Sequence, residues 1–284
     1  MLRSGALLEN GTERGRKIFV RPGPTSFSPR LLTAGGGSAR VARVQRVASA
    51  RVLVVGAGGL GCPASLALAQ AGVGGLTLVD PDRVDVTNLH RQLWHRTSDV
   101  GRLKVESAAE GLRRAFPALR VETLAERVDD RNAGSLFGAH DAVVDATDGT
   151  STKLFLSDVA VATGVPLVYG GVLRMQGQAM RVEPGGPCLR CVYEEPPSPD
   201  AVPTCAQAGV LGSMAGLVGA LQAHLVLERL TGAVPPAGGE ALLYILDGAT
   251  LRSRQVRVRR APDCEGCARS RPPVFPEESD RCTR

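Results

Sequence analysis

Glycines and an acidic residue mark the stretch from residue 52 to residue 80 as a binding site for phosphate. An apolar run at 52–55 leads into Gly56-Ala57-Gly58-Gly59-Leu60-Gly61, and a second apolar run at 76–79 ends at Asp80. Glycines let the backbone turn sharply and approach an anion, and the helix that follows points unpaired N–H groups at it. An acid at the tip of the second strand can accept hydrogen bonds from ribose hydroxyls. The stretch therefore predicts a nucleotide site on a strand–helix–strand unit, with contacts from Gly56, Gly58, Gly59, Gly61 and Asp80.

Four of the seven cysteines form two Cys-x-x-Cys pairs, Cys188 with Cys191 and Cys264 with Cys267. Each pair offers two thiolates from one tight turn, and two distant pairs together satisfy tetrahedral zinc. Four thiolates leave no position for water, so the predicted ion is structural. A redox dithiol and a disulfide pair are the alternatives, and the lack of a secretory signal argues against disulfides.

Cys205 differs from the paired cysteines because it follows a proline-rich stretch and precedes a predicted helix. The positive end of that helix would lower the pKa of the thiol and expose a thiolate. The position fits a nucleophile for sulfur or acyl transfer and fits an inert, partly buried thiol equally well.

The elements that must position these residues alternate between short apolar runs and amphipathic stretches. This alternation predicts an α/β fold with a Rossmann-like nucleotide-binding part, a mostly parallel (mixed) sheet flanked by helices, C-terminal antiparallel strands and a four-cysteine zinc site. Short runs at 119–124, 142–145 and 166–169 predict further strands, and 242–246 with 251–258 predict a hairpin. The predicted organisation is a partly mobile extension with a lead-in helix (1–47), a nucleotide-binding part (48–173), a zinc-binding part of the same domain (174–270), and a tail (271–284).

The charge and apolar patterns exclude two classes of partner. The chain has 284 residues and a net charge of +6, but its arginines are dispersed and aromatic residues make up 4%. This pattern is typical of a solvated basic surface and not of a nucleic-acid platform. The apolar stretch at 210–227 is interrupted by Ser213, Gln222 and His224, so we expect a buried helix and no membrane span. With no signal segment, the expected location is the cytoplasm.

Several motifs occur together in a fixed order between residues 51 and 267. They are Gly56 to Gly61, Asp80-Pro81-Asp82, Asn88-Leu89-His90-Arg91-Gln92, Gly101-Arg102-Leu103-Lys104, Ala146-Thr147-Asp148 and both cysteine pairs. This set resembles the bacterial adenylyltransferases that activate sulfur-carrier proteins. Those are the molybdopterin-synthase and thiamine-thiazole adenylyltransferases, which are related to ubiquitin-activating enzymes.

The resemblance implies an ATP-dependent enzyme that joins AMP to the C-terminal Gly-Gly carboxylate of a small ubiquitin-fold sulfur carrier and releases pyrophosphate. It implies that residues 48–173 bind ATP and that residues 174–270 bind the carrier, and it further implies bound Mg²⁺, a homodimer, and thiocarboxylate formation for molybdopterin or thiamine biosynthesis. Because the sequence ends soon after the second cysteine pair, we expect no fused sulfurtransferase domain and a separate sulfur donor. Lys104 stands out because the chain otherwise almost always uses arginine. The implied roles are phosphate clamps for Arg91 and Lys104, a magnesium ligand for Asp148, a ribose acceptor for Asp80, and polar lining or support for Asn88, Gln92 and Asp82.

Two positions depart from the family pattern. Gly149 stands where the family usually has asparagine next to the metal ligand. The family also carries an Arg-Tyr-x-Arg sequence whose second arginine reaches the neighbouring subunit's ATP site, and here Arg30 is the nearest match, displaced by a residue. The alternatives are an NAD(P)-dependent oxidoreductase, from the glycine motif alone, and a non-catalytic subunit of the same fold.

Overall fold

Eight strands and six α-helices make up the part of the chain that the computed structural model describes, residues 37–193, 209–233 and 239–268. The strands are β1 (Arg51–Val55), β2 (Gly75–Val79), β3 (Arg120–Leu124), β4 (Ala142–Asp145), β5 (Leu167–Leu173), β6 (Gln176–Val182), β7 (Glu240–Asp247) and β8 (Arg252–Arg259). The helices are α1 (Gly37–Ser49), α2 (Gly61–Gln70), α3 (Lys104–Ala115), α4 (Ala133–Gly138), α5 (Thr150–Thr163) and α6 (Gly212–Thr231).

All eight strands belong to one mixed sheet in the order β3-β2-β1-β4-β5-β6-β7-β8. The five strands from β3 to β5 in this order pair in parallel, and β5 to β8 pair antiparallel. The central strands β1, β2 and β4 are apolar along almost their whole length because helices cover both faces of a parallel sheet. The α/β class and the C-terminal antiparallel strands predicted from the sequence are confirmed.

The sheet separates two apolar cores. One core contains residues of α2, α3 and α6, including Leu68, Leu112 and Leu225. The other contains residues of α4 and α5 together with Cys188 and Cys264 of the predicted zinc site. The residues on the two faces of the sheet are therefore held by different sets of helices.

Three helices bear on the sequence predictions. The predicted lead-in helix is α1, and the apolar stretch at 210–227 forms the buried helix α6. Helix α4 was not predicted because its six residues are too short for a clear period. No helix of the described ranges has the length and apolar character needed to cross a membrane. The cytoplasmic location stays a prediction.

Arg30, Cys205, the N-terminal extension and the tail lie outside the described residues. The predicted boundary at 173/174 falls at the turn between β5 and β6, where Arg174 has a φ of 55°. Strand β8 lies last in the sheet order and carries four arginines, Arg252, Arg254, Arg257 and Arg259.

Candidate active site

The described residues of the predicted nucleotide site lie at the carboxyl edge of the parallel strands. The chain passes from β1 to β2 on one side of β1, and β4 lies on the other side. Ligands of open α/β sheets bind in the crevice where the strand order reverses in this way. The glycine turn follows β1, Asp80 follows β2, and Asp148 follows β4, so the fold gathers all three at the reversal.

Two glycines of the turn, Gly56 and Gly61, leave no room for a side chain. Gly56 has a φ of +101°, and a Cβ there would lie 2.6 Å from the carbonyl oxygen of Ala146. A Cβ on Gly61 would lie 1.8 Å from the carbonyl oxygen of Gly56. The turn therefore brings bare backbone to the site, which is the arrangement that phosphate binding requires.

Asp80 holds the glycine turn in place. Its carboxylate accepts hydrogen bonds from the backbone N–H of Ala57 at 2.7 Å and of Asp82 at 2.8 Å. Burial raises the pKa of Asp80, while Lys104 acts in the opposite direction. The structure gives Asp80 a contact with the protein's own backbone, and its role toward ribose stays a prediction.

Lys104 lies among carboxylates at the first turn of α3. Its side chain is buried, and its Nζ donates to the Asp82 carboxylate at 2.7 Å. Burial disfavours its charged form, but the carboxylates of Asp80, Asp82 and Asp148 outweigh burial and raise its pKa above the ordinary value. Lys104 is therefore a permanent cation beside an excess of negative charge, a setting that suits a triphosphate carrying a divalent ion.

The segment after β2 covers the glycine turn with polar side chains. The guanidinium of Arg91 donates to Asn88 Oδ1 at 2.5 Å. The Arg91 side chain passes 3.4 Å from where a Gly59 Cβ would lie. Gln92 is 3% exposed, its Nε2 approaches Gly58, and its Oε1 accepts no hydrogen bond from the described residues. An unpaired buried oxygen beside a phosphate-type turn fits a site that a ligand completes.

His95, which the sequence analysis did not select, joins this segment to the turn and to α3. Its Nε2 donates to the Ala57 carbonyl oxygen at 3.0 Å, and its Nδ1 lies 2.9 Å from Ser107 Oγ. Burial lowers the pKa of His95, so the neutral ring is favoured. Asp80 and His95 together hold the Ala57 peptide by its N–H and its carbonyl.

Asp148 is exposed on the short segment that follows β4. The residues before it are tied down, because Asp145 is fully buried and accepts hydrogen bonds from Thr147 N and Thr147 Oγ1. An exposed carboxylate within the field of Lys104 is a suitable oxygen ligand for Mg²⁺.

The four cysteine sulfurs form one cluster. Every pair of Sγ atoms lies within 4.8 Å, with Cys188 to Cys264 at 3.6 Å and Cys191 to Cys267 at 3.5 Å. A tetrahedron with zinc–sulfur bonds of about 2.3 Å has edges of about 3.8 Å. The donor set and the spacing therefore fit a structural zinc ion, as the two Cys-x-x-Cys pairs predicted.

Comparison with known proteins identifies the class. The model of the ThiF family matches residues 36–266. The SAMP-activating enzyme E1 of Haloferax volcanii is 43% identical over 222 residues, which cover 78% of this chain and 82% of that protein. The sulfur carrier protein adenylyltransferase of Thermus thermophilus is 42% identical over 229 residues, covering 78% and 84%. The chain belongs to the ThiF family.

Two further comparisons set the limits of the likeness. The adenylyltransferase and sulfurtransferase uba4 of Aspergillus niger is 40% identical over 235 residues, which are 78% of this chain but 48% of that protein. The crystal structure of E. coli MccB with ATP superposes with a TM-score of 0.69 at 21% identity, covering 80% of this chain and 69% of that one. At this identity the superposition supports the fold alone, and it agrees with the sheet described above.

Proposed function

We propose that this protein adenylates the C-terminal carboxylate of a ubiquitin-fold sulfur carrier that ends in Gly-Gly. The observation that carries the proposal is Lys104, a buried cation among Asp80, Asp82 and Asp148 beside a bare glycine turn. Relatives of more than 40% identity, matched over four fifths of their own length, are named as sulfur carrier adenylyltransferase and E1 enzymes.

The reaction is an in-line displacement at the α-phosphorus of ATP. The carrier carboxylate attacks phosphorus, the bond from phosphorus to the bridging oxygen breaks, and pyrophosphate leaves with that electron pair. The glycine turn binds phosphate oxygens through backbone N–H groups, and Lys104 and Arg91 neutralise their charge. Asn88 orients the Arg91 guanidinium, and Gln92 lines the same turn beside Gly58.

Both metals have a residue set on the chain that fits them. Asp148 would hold Mg²⁺, which when bound neutralises part of the triphosphate charge. Cys188, Cys191, Cys264 and Cys267 would hold zinc, which ties the segment after β8 to the segment after β6. The alternative from the glycine motif, an oxidoreductase, would give no role to Lys104 and the carboxylates around it or to the four-cysteine cluster.

We further propose a homodimer and a separate sulfur donor. Large apolar side chains of Leu93, Leu211 and Leu217 are exposed, at 64%, 44% and 50%. Gly212 packs against His90 and Arg91, so the start of α6 lies beside the proposed phosphate clamp. A partner on this face would lie beside the ATP site, where the family pattern places an arginine of the neighbouring subunit. The thiocarboxylate product would serve molybdopterin or thiamine biosynthesis.

The test is ATP–pyrophosphate exchange with the full chain and Gly-Gly carriers from the same genome, added one at a time. We expect exchange with one carrier and none when the terminal glycine of that carrier is deleted. ATP binding without exchange for any carrier would instead support a non-catalytic subunit. Binding of NAD in place of ATP would refute the assignment of the nucleotide.

A further inference from the structure

Strands β4 and β5 separate where residues 146–149, the segment that carries Asp148, begin. Their pairing ends at Asp145 with Tyr169, after which β5 continues against β6 and the chain from β4 turns into residues 146–149. Strands that diverge lose mutual hydrogen bonds, so backbone carbonyls there need other donors. Around this split, two side chains donate hydrogen bonds to four backbone carbonyl oxygens. The four acceptors are the carbonyl oxygens of Asp145, Thr147, Val168 and Gly170.

Lys153 reaches the split from α5. Its Nζ donates to the carbonyl oxygens of Thr147 and Gly170, each at 2.6 Å, and lies 3.3 and 3.4 Å from the two carboxylate oxygens of Asp145. Lys153 is buried, with its side chain 10% exposed, and its Nζ lies over the ring of Tyr169, 5.3 Å from the ring centroid. One ammonium therefore joins the segment after β4 to the continuing strand β5.

Gln222 reaches the same split from α6. Its Nε2 donates to the carbonyl oxygens of Asp145 at 2.7 Å and of Val168 at 3.0 Å, and the residue is completely buried. A Cβ on Gly170 would lie 2.3 Å from Gln222 Cδ, so glycine at 170 makes room for the carboxamide. Helices α5 and α6 contribute to different cores, so Lys153 and Gln222 approach from opposite faces of the sheet.

We propose that Lys153 and Gln222 are positioning residues that fix segment 146–149, and with it Asp148, relative to β5 and the glycine turn. The segment has other anchors as well: Ala146 N donates to the Val55 carbonyl oxygen of β1 at 2.8 Å, and Thr147 N and Oγ1 donate to the Asp145 carboxylate. Lys153 and Gln222 are the side chains that join this region to β5. Asp148 is exposed, so the backbone on which it sits sets its position. The catalytic consequence rests on the proposed adenylation: a displacement of about 1 Å at a reacting centre costs about 10²-fold in rate.

The variants are Lys153→Met, which removes the ammonium and keeps an unbranched side chain, and Gln222→Met, which removes the carboxamide from the other face. Lys153→Arg restores a charged donor. Arg181→Met is the matched control, because it removes a partly buried cation that binds Glu183 and Glu228. If unpaired Asp145 prevents folding of Lys153→Met, the double variant Asp145→Asn/Lys153→Met removes both buried charges.

The first readout is hydrogen–deuterium exchange of the full chain without ligands. We expect faster exchange at amides 146–149 in Lys153→Met and Gln222→Met, unchanged exchange there in Arg181→Met, and partial recovery in Lys153→Arg. The second readout is pyrophosphate exchange, in which kcat falls by about 10²-fold while ATP binding measured without divalent metal is retained.

A loss of thermal stability equal to that of Arg181→Met, with unchanged amide exchange at 146–149 and unchanged kcat, would overturn the proposal. The proposed adenylation and the positioning role of Lys153 and Gln222 can also be refuted independently of each other. If the wild-type chain shows no pyrophosphate exchange with any carrier, the proposed function fails, while amide exchange at 146–149 still decides whether Lys153 and Gln222 hold the segment.

Discussion

Replacing Lys104 by methionine separates the two effects of its charge, one on catalysis and one on the stability of the carboxylates around it. The variant keeps the apolar stem and removes the ammonium that donates to Asp82 at 2.7 Å. Removal of a preorganised charged donor from a site of this kind lowers the rate by about 10²–10³-fold. We expect pyrophosphate exchange to fall by that amount.

The loss of stability follows from the burial of the groups. Lys104 and Asp80 are buried and Asp82 is largely exposed, so the charge-assisted hydrogen bond is worth about 1–3 kcal/mol. A chain of this size loses about 3 °C of melting temperature per kcal/mol, which gives a decrease of about 3–9 °C.

The loss of stability in Lys104→Met should depend on pH, and the pKa of Asp80 determines in which direction. Burial already raises the pKa of Asp80 in the folded chain, and without Lys104 the rise is larger. A carboxyl whose folded pKa is raised binds its proton more tightly in the folded state. The carboxyl then contributes its full stabilisation at pH values below its pKa in the unfolded state, about 3.9. This stabilisation is lost as the pH rises through the pKa of the carboxyl in the folded state. The free energy of unfolding of Lys104→Met should therefore fall further below that of wild type at pH 7 than at pH 4.

The assay is urea unfolding of wild type and variant across this pH range, beside pyrophosphate exchange at pH 7.5. Arg102→Met is the matched control, because Arg102 is partly exposed and pairs with Asp99 and Glu110. A constant or reversed pH dependence of this loss of stability would refute the electrostatic argument. Exchange activity within threefold of wild type would refute the role of Lys104 in catalysis.

Three further substitutions test the remaining assignments. Asp148→Ala should lower pyrophosphate exchange by about 10²–10³-fold and keep ATP binding measured without metal; full activity would remove Asp148 from the mechanism. Cys191→Ser should lower both zinc content, measured by atomic emission, and melting temperature, whereas Cys62→Ala, outside the cluster, should keep its zinc; normal zinc in Cys191→Ser would show a wrong ligand assignment. Cys205→Ala should spare pyrophosphate exchange and reduce thiocarboxylate formation, seen by mass spectrometry of the carrier; undiminished thiocarboxylate would indicate an inert thiol.

The parts of the fold that follow from local pattern were predictable. Runs such as 52–55 and 142–145 are apolar almost throughout because both faces of these strands are covered, and glycines 56 and 61 occupy positions where a Cβ would overlap backbone. Each of these signals lies within a few residues of sequence. The cysteine pairs are also local signals, and their joint cluster follows from the number of ligands that zinc requires.

The residues that hold the site together were not predictable in the same way. Gln222 donates to a carbonyl 77 residues away, and His95 to one 38 residues away. Backbone carbonyls leave no mark on the sequence, so nothing near either residue indicates its partner. Lys153 had one available signal, since it is one of three lysines in an arginine-rich chain. The contact of Asp80 with the Ala57 N–H was missed for the same reason as those of Gln222 and His95.

The arginines of β8 have a consequence for how the protein behaves in concentrated solution. An outermost strand presents backbone donors and acceptors to which a strand of another molecule can add, and repeated addition leads to aggregation. Glu240 of β7 pairs with Arg257 and Arg259, while Arg252 and Arg254 are exposed at the other end of the strand. A second copy that added its own β8 to this edge would bring two rows of arginines together, and like charges on paired strands repel. Within the part of the chain that the structure describes, β8 is the last strand of the sheet, and its arginines disfavour the addition of a second copy at this edge.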